Sequence, residues 1–243
     1  MIFLFTDFGA EGPYLGQMAA IIKHHAPNVP LINLLSNAPC ADPRRSAYLL
    51  AALSKTLPRE SVIVSVVDPG VGGDREPLAL RADGRWFVGP DNGLLNTVAT
   101  HSNQTEWRII EWRPANLSHS FHGRDLFAPV AAYLAQGEEG WAYRPCQGPD
   151  LRLWPPDLSE ILYLDHYGNV ITGLRFGPEL VGSRFIIGGY RIQWARTFCE
   201  VAEGELFWYE NSMGLVEIAA NRTSAAKMLG PNPVGLPLRR ESE

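Results

Sequence analysis

The hydrophobic and polar positions of this chain follow two different rhythms. Through the first half, apolar or β-branched runs at residues 1–5, 29–35 and 61–67 alternate with helix-period segments. Runs of that kind suit strands covered on both faces. Residues 15–26 place apolar positions at helical spacing and stop before Pro27, while Asp42-Pro43 offers an N-cap and a first-turn proline to a helix reaching about residue 56. Strand, helix, strand, helix, strand predicts an α/β fold, a largely parallel sheet with helices on both faces. A hairpin follows at 77–82 and 85–89 around Asp83-Gly84, then a short helix near 92–99, a strand at 106–112 and a helix near 124–136.

From Gly137 to Pro156 the periodicity vanishes and Gly, Pro and Trp crowd together. Residues 141–157 therefore read as a linker between an N-terminal α/β catalytic domain, 1–140, and a C-terminal domain, 158–243. In the latter, short strand patterns recur at 159–164, 169–175, 184–188, 190–195, 205–209 and 215–219, broken by Gly-rich turns. Such spacing predicts a small antiparallel β-barrel-like domain. A short helix near 223–229 interrupts it, and 234–238 can add a last strand.

Composition narrows the function classes. With 243 residues, 46% of them hydrophobic and 19% charged, the chain can bury a sizeable core. A net charge of −5 argues against nucleic-acid partners, which need a basic surface. No apolar run approaches the ~20 residues that span a bilayer, and Met1–Thr6 is too short and lacks the basic residues of a signal peptide. Cys40, Cys146 and Cys199 are odd in number and far apart, with neither zinc spacing nor a disulfide framework. The expectation is a cytoplasmic protein with no metal, acting on a small molecule.

Three clusters carry candidate chemistry: Asp68-Pro-Gly-Val-Gly-Gly-Asp-Arg75, Gly89-Pro-Asp-Asn-Gly93 and Ser120-Phe-His-Gly-Arg-Asp125. Each lies near a strand end or helix start, where open parallel sheets bind ligands. Asp, Arg and His delivered by such loops can bind, orient and deprotonate a small reactant. Asp7, after the first strand, is placed either to hold a ligand's hydroxyl pair or to cap the helix that follows. Asp91-Asn92 reads more simply as a turn. Asp165 and Asn169 sit in a hairpin turn, with an amine and an amide edge as their functional alternatives, and Asn211-Ser212-Met-Gly214 is weak alone. His24, His25, His101 and His119 read as surface residues.

The clusters, with Thr6-Asp-Phe-Gly9, Val88-Gly-Pro-Asp-Asn-Gly-Leu94, Asp165 with Gly168-Asn169, and Asn211-Ser212 with Gly214, run in one order across nearly the whole chain. In that order they resemble the S-adenosyl-L-methionine hydrolase (hydroxide adenosyltransferase) family, whose relatives include the fluorinase and chlorinase. The resemblance implies a hydrolase that uses water or hydroxide to attack ribose C5′, releasing adenosine and L-methionine. It implies no cofactor, S-adenosyl-L-methionine being the substrate. It assigns catalysis to Asp68, Arg75 and His122, the ribose to Asp7, the methionine amino group to Asp165 and Ser212, and the adenine edge to Asn169. It further implies a homotrimer whose sites lie between the N-terminal domain of one subunit and the C-terminal domain of its neighbour. Gly12, Gly173 and Met213 depart from the residues common in relatives. A halide-using adenosyltransferase and a nucleoside-binding protein without turnover are the competing readings.

Overall fold

Chain segments rich in β-branched and apolar residues build the centre of the first sheet. Ile2–Thr6 (β1), Leu31–Leu35 (β2) and Val62–Val66 (β3) are joined by the helices Tyr14–His25 (α1) and Pro43–Ser54 (α2). The computed structural model describes residues 1–138 and 140–241 and divides into two units, Met1–Trp154 and Pro155–Glu243. Asp42 caps α2 by accepting the Arg45 N–H at 2.9 Å. After β3 come Pro77–Ala82 (β4), Arg85–Pro90 (β5), Asn96–Thr100 (α3), Thr105–Ile110 (β6), Ala128–Ala135 (α4) and Tyr143–Cys146 (β7).

The strands form one seven-stranded sheet in the order β2-β1-β3-β5-β4-β6-β7. The β2–β1, β1–β3 and β3–β5 pairs are parallel, whereas β5–β4, β4–β6 and β6–β7 are antiparallel. The expected largely parallel sheet is thus corrected. Asp83-Gly84 folds β5 directly back onto β4, and a two-residue turn can join only antiparallel neighbours. β2 ends up at the sheet edge with Ile32 exposed, although its apolar run reads like those of β1 and β3. Ile2, Leu4, Val62, Val64 and Val66 pack with Met18 and Ile22 of α1 and with Val130, Ala131 and Leu134 of α4. Phe3, Phe5 and Ile63, one step out of phase, are equally buried on the other face.

The stretch expected to be a linker, 141–157, also differs. It holds β7, and Trp154 stacks on Tyr48 at 6.1 Å while its indole N–H donates to Thr97 at 2.9 Å. Its glycines and prolines hide the periodicity, but the buried Trp141 and the docked Trp154 keep its residues up to Trp154 in the first unit.

The second unit contains Leu158–Leu164 (β8), Val170–Arg175 (β9), Arg184–Ile187 (β10), Tyr190–Trp194 (β11), Leu206–Glu210 (β12), Leu215–Ala220 (β13), Ala225–Leu229 (α5) and Arg239–Arg240 (β14). They form a second seven-stranded sheet, β14-β10-β11-β12-β13-β9-β8. All its pairs are antiparallel except β11–β12, which run parallel because the segment between them crosses over instead of turning back. Residues 235–238 hydrogen-bond to β8 (Leu238 N–H to Ser159 O, 2.8 Å), and the same segment continues as β14 on β10. This curls the sheet into a half-barrel around Trp208, Phe185, Ile192, Val216 and Ile218. No helix among the described residues is long and apolar enough to cross a membrane.

Candidate active site

Asp68 follows the end of β3 and enters a loop that folds back through two tight turns, Val71 N–H to Asp68 O and Gly73 N–H to Gly70 O. Gly72 is required here. Its φ is +80°, and a Cβ at this position would lie 2.3 Å from the His119 carbonyl oxygen. That close approach packs the loop after β3 against the loop that carries His122. His122 in turn opens a π-helical turn, Gly123–Phe127, ahead of α4. Such turns interrupt the regular ladder and are frequent at functional sites.

The two loops bring Asp68, Arg75 and His122 together. The Arg75 Nε–H reaches both Asp68 oxygens at 2.8 and 2.9 Å, and Arg75 Nη2 closes the fork on Asp68 Oδ2. The side chains are 10% and 4% exposed, so this is a buried pair. Arg75 Nη2 also lies 3.1 Å from His122 Nδ1. A guanidinium N–H can only donate, so Nδ1 is the acceptor and the neutral ring carries its proton on Nε2. Burial, then the charge of Arg75, push the His122 pKa below its ordinary value, with Asp68 opposing.

Asp7, Asp68 and His122 line one cavity of about 430 Å³ in the first unit, while Arg75 stands behind its wall. Asp7 does not cap α1, whose N-terminus has no side-chain cap; its Oδ2 accepts the Ala41 N–H at 2.9 Å instead. Tyr14 and Gln17 in the lining lie outside every motif, and Phe8, Phe121 and Arg124 stand in the motifs with no role assigned to them. Phe8, Tyr14 and Phe121 meet edge-on or tilted with centroids 5.4–5.8 Å apart. Arg124 lies over Phe121 at 5.0 Å, forks onto Asp125 and donates to Gln17 at 2.7 Å. The Phe-Gly and Phe-His pairs in the motifs were the only local hint. Asp91 and Asn92 stay outside the cavity: Asn92 donates to Val67 O at 2.9 Å and accepts the Leu94 N–H, a bracing role. His25 and His101, expected at the surface, are half-buried.

Asp165, Asn169 and Ser212 line a different cavity, of about 930 Å³, in the second unit. Asp165 does build the hairpin turn: Oδ1 accepts the Tyr167 and Asn169 N–H groups at 2.9 and 2.8 Å, and Oδ2 accepts the Asn169 side-chain amide at 2.9 Å. Gly168, at φ +84°, lets the turn press on Ser224. Asn211 Oδ1 accepts the Met213 and Leu215 N–H groups, which shapes the turn presenting Ser212. Glu217 and Tyr209 also belong to this lining, and burial raises the pKa of both. Among the described residues no group of three His, Cys, Asp or Glu side chains is placed to hold a metal ion.

Residues 2–142 match the SAM hydroxide adenosyltransferase N-terminal domain, and residues 159–234 match the C-terminal domain of the same family. A curated (R)-S-adenosyl-L-methionine hydrolase from Thermus thermophilus is 37% identical, covering 98% of each chain. Another, from Salinispora arenicola, is 36% identical over 94% of this chain and 93% of its own. The crystal structure of a conserved protein from Thermotoga maritima superposes with a TM-score of 0.90 at 31% identity, covering 100% of both chains. The chain belongs to the SAM hydroxide adenosyltransferase family.

Proposed function

We propose that this protein hydrolyses S-adenosyl-L-methionine to adenosine and L-methionine. The observation that carries the reading is the buried Asp68–Arg75–His122 constellation at the wall of a cavity shared with Asp7. A sulfonium leaves as a neutral thioether, so departure needs no general acid, and the reaction needs neither cofactor nor metal. What it needs is a water held in line with the C5′–S bond at about 3 Å from carbon. His122 donates Nε2–H to that water's oxygen. Asp68 Oδ1, which accepts one N–H from Arg75, keeps a lone pair for a water proton. The oxygen lone pair forms the C–O bond, the C–S pair goes to sulfur, and the proton leaves by way of Asp68 to solvent. Arg75 keeps the carboxylate and the ring in register and offsets the charge that develops.

Asp7 Oδ1 has no protein partner among the described residues and serves the ribose hydroxyls. Asn169, its amide N–H engaged by Asp165, offers Oδ1 to the adenine amino group. Asp165 and Ser212 serve the methionine end. The two sets of residues line cavities in different units, and the reading that suits this is a homotrimer in which each site is shared between subunits. The three unpaired cysteines suit a reducing compartment, the cytoplasm.

Incubation with S-adenosyl-L-methionine in excess chloride, followed by chromatography, tests the reading. Adenosine and methionine are the expected products; a 5′-chlorinated nucleoside, or no conversion, contradicts it. Two further outcomes are expected. Asp7→Ala removes charge-assisted bonds worth roughly 1.5–3 kcal/mol and should weaken substrate binding ~10- to 100-fold. If the 2′-deoxy substrate binds the unmodified protein as well as the parent compound does, Asp7 has no ribose role. The pH profile follows from His122: its lowered pKa keeps the ring neutral through mildly acid pH. Turnover should therefore persist below the ordinary histidine value of about 6.5 and be lost only at more acid pH, where the protonated Nδ1 can no longer accept from Arg75. An acid limb centred above that value, and lost in His122→Gln, would show that the ring is not held neutral as described.

A further inference from the structure

Glu217 is a buried carboxylate that the reaction outlined above does not use. Ile171 of β9, Glu217 of β13 and Tyr209 of β12 stand directly opposite one another in register, and the row they form lines the cavity of the second unit. Glu217 is 5% exposed. It accepts the Tyr209 hydroxyl at 2.5 Å and the Asn211 amide N–H at 2.9 Å, both neutral donors. No cation forms an ion pair with it among the described residues: Lys227 and Arg222 also line the cavity, Arg222 pairing with Glu203, while a second carboxylate, Asp165, acts on Glu217.

An ionised carboxylate offers about four acceptor positions. Asp165 has three taken, by Tyr167 N–H, Asn169 N–H and the Asn169 amide. Glu217 has two taken. A buried charge without a counter-ion is costly, and this one forms the wall of an open cavity instead of a closed core. A ligand cation arriving there would supply the missing counter-charge and fill the remaining positions.

We infer that Glu217 is the principal acceptor for the ligand's primary ammonium group, with Asp165 as the secondary charge. The inference rests on the proposed function, in which the ligand is S-adenosyl-L-methionine and the group its α-ammonium. The alternative role for Glu217 is mechanical, holding Asn211 and so the Ser212 turn. The two roles separate cleanly: loss of a mechanical brace weakens every ligand, whereas loss of the counter-charge weakens only those with an amino group.

The test compares S-adenosyl-L-methionine with its des-amino analogue, which keeps the sulfonium, by equilibrium binding and by conversion. Glu217→Gln can turn its carbonyl to Asn211 and its amide to the Tyr209 oxygen, so it removes charge and keeps both links. It should cut the preference for the amino-bearing ligand about tenfold or more and leave the des-amino analogue nearly unaffected. Tyr209→Phe perturbs the same network but keeps the charge, and should retain the preference. Equal weakening of both ligands in Glu217→Gln, an unmoved ratio, or the same loss of ratio in Tyr209→Phe overturns the inference. Conversion of S-adenosyl-L-methionine by the unmodified protein alongside any of these leaves the proposed function standing. Absence of both binding and conversion by the unmodified protein overturns the two together.

Discussion

Replacing His122 by alanine is expected to cut turnover by about 100-fold or more, through loss of the group that holds the water in line, while substrate affinity stays nearly unchanged. The ring touches the proposed nucleophile through Nε2 only, and its Nδ1 is tied to Arg75 at 3.1 Å. Its removal therefore takes an interaction made to the attacking oxygen and spares the groups assigned to ribose, adenine and methionine. Single-turnover formation of adenosine, measured beside equilibrium binding, separates the two effects. A folded His122→Ala protein with undiminished turnover would remove the ring from the mechanism.

The second large effect belongs to Arg75. Its guanidinium forks onto Asp68 in a pair whose side chains are 10% and 4% exposed. Arg75→Met strands a buried carboxylate, and breaking such a pair costs about 3–5 kcal/mol. The variant should melt well below the parent protein and lose turnover, since His122 also loses the donor on Nδ1. Adding Asp68→Asn to Arg75→Met removes the stranded charge and should return much of the stability but none of the turnover. Denaturant unfolding of the three proteins checks this. A single variant as stable as the parent would mean that the pair is not buried as described.

What the sequence made legible was local. Asp7, Asp68 and His122 each sit in a short motif beside an apolar run; Asp7 and Asp68 share one cavity because β1 and β3 are parallel neighbours, and His122 joins them through the loop packed against Gly72. Strand positions in the second unit were equally readable, because turn glycines separate most of them. The partners across space were not. Glu217 alternates with the buried Val216 and Ile218 and so reads as a solvated position; only the register that sets it opposite Tyr209 reveals a buried acid. The ring cluster joins Phe8 and Tyr14 to Phe121, more than a hundred positions away, so the motifs show two of its rings but not their contact. Sheet direction failed for a similar reason. Apolar runs report burial, while the antiparallel half of the first sheet follows from how its later strands are connected.

The Asp68–Arg75 pair, Asp7 and Glu217 answer to different tests, but hydrolysis at C5′ answers to one. Incubation with S-adenosyl-L-methionine in water enriched in heavy oxygen, with mass analysis of both products, follows the new bond itself. Attack by water at C5′ places the label in the 5′-hydroxyl of adenosine and leaves the released methionine unlabelled. Unlabelled adenosine, label in methionine, or a nucleoside carrying any group other than oxygen at C5′ would contradict the account.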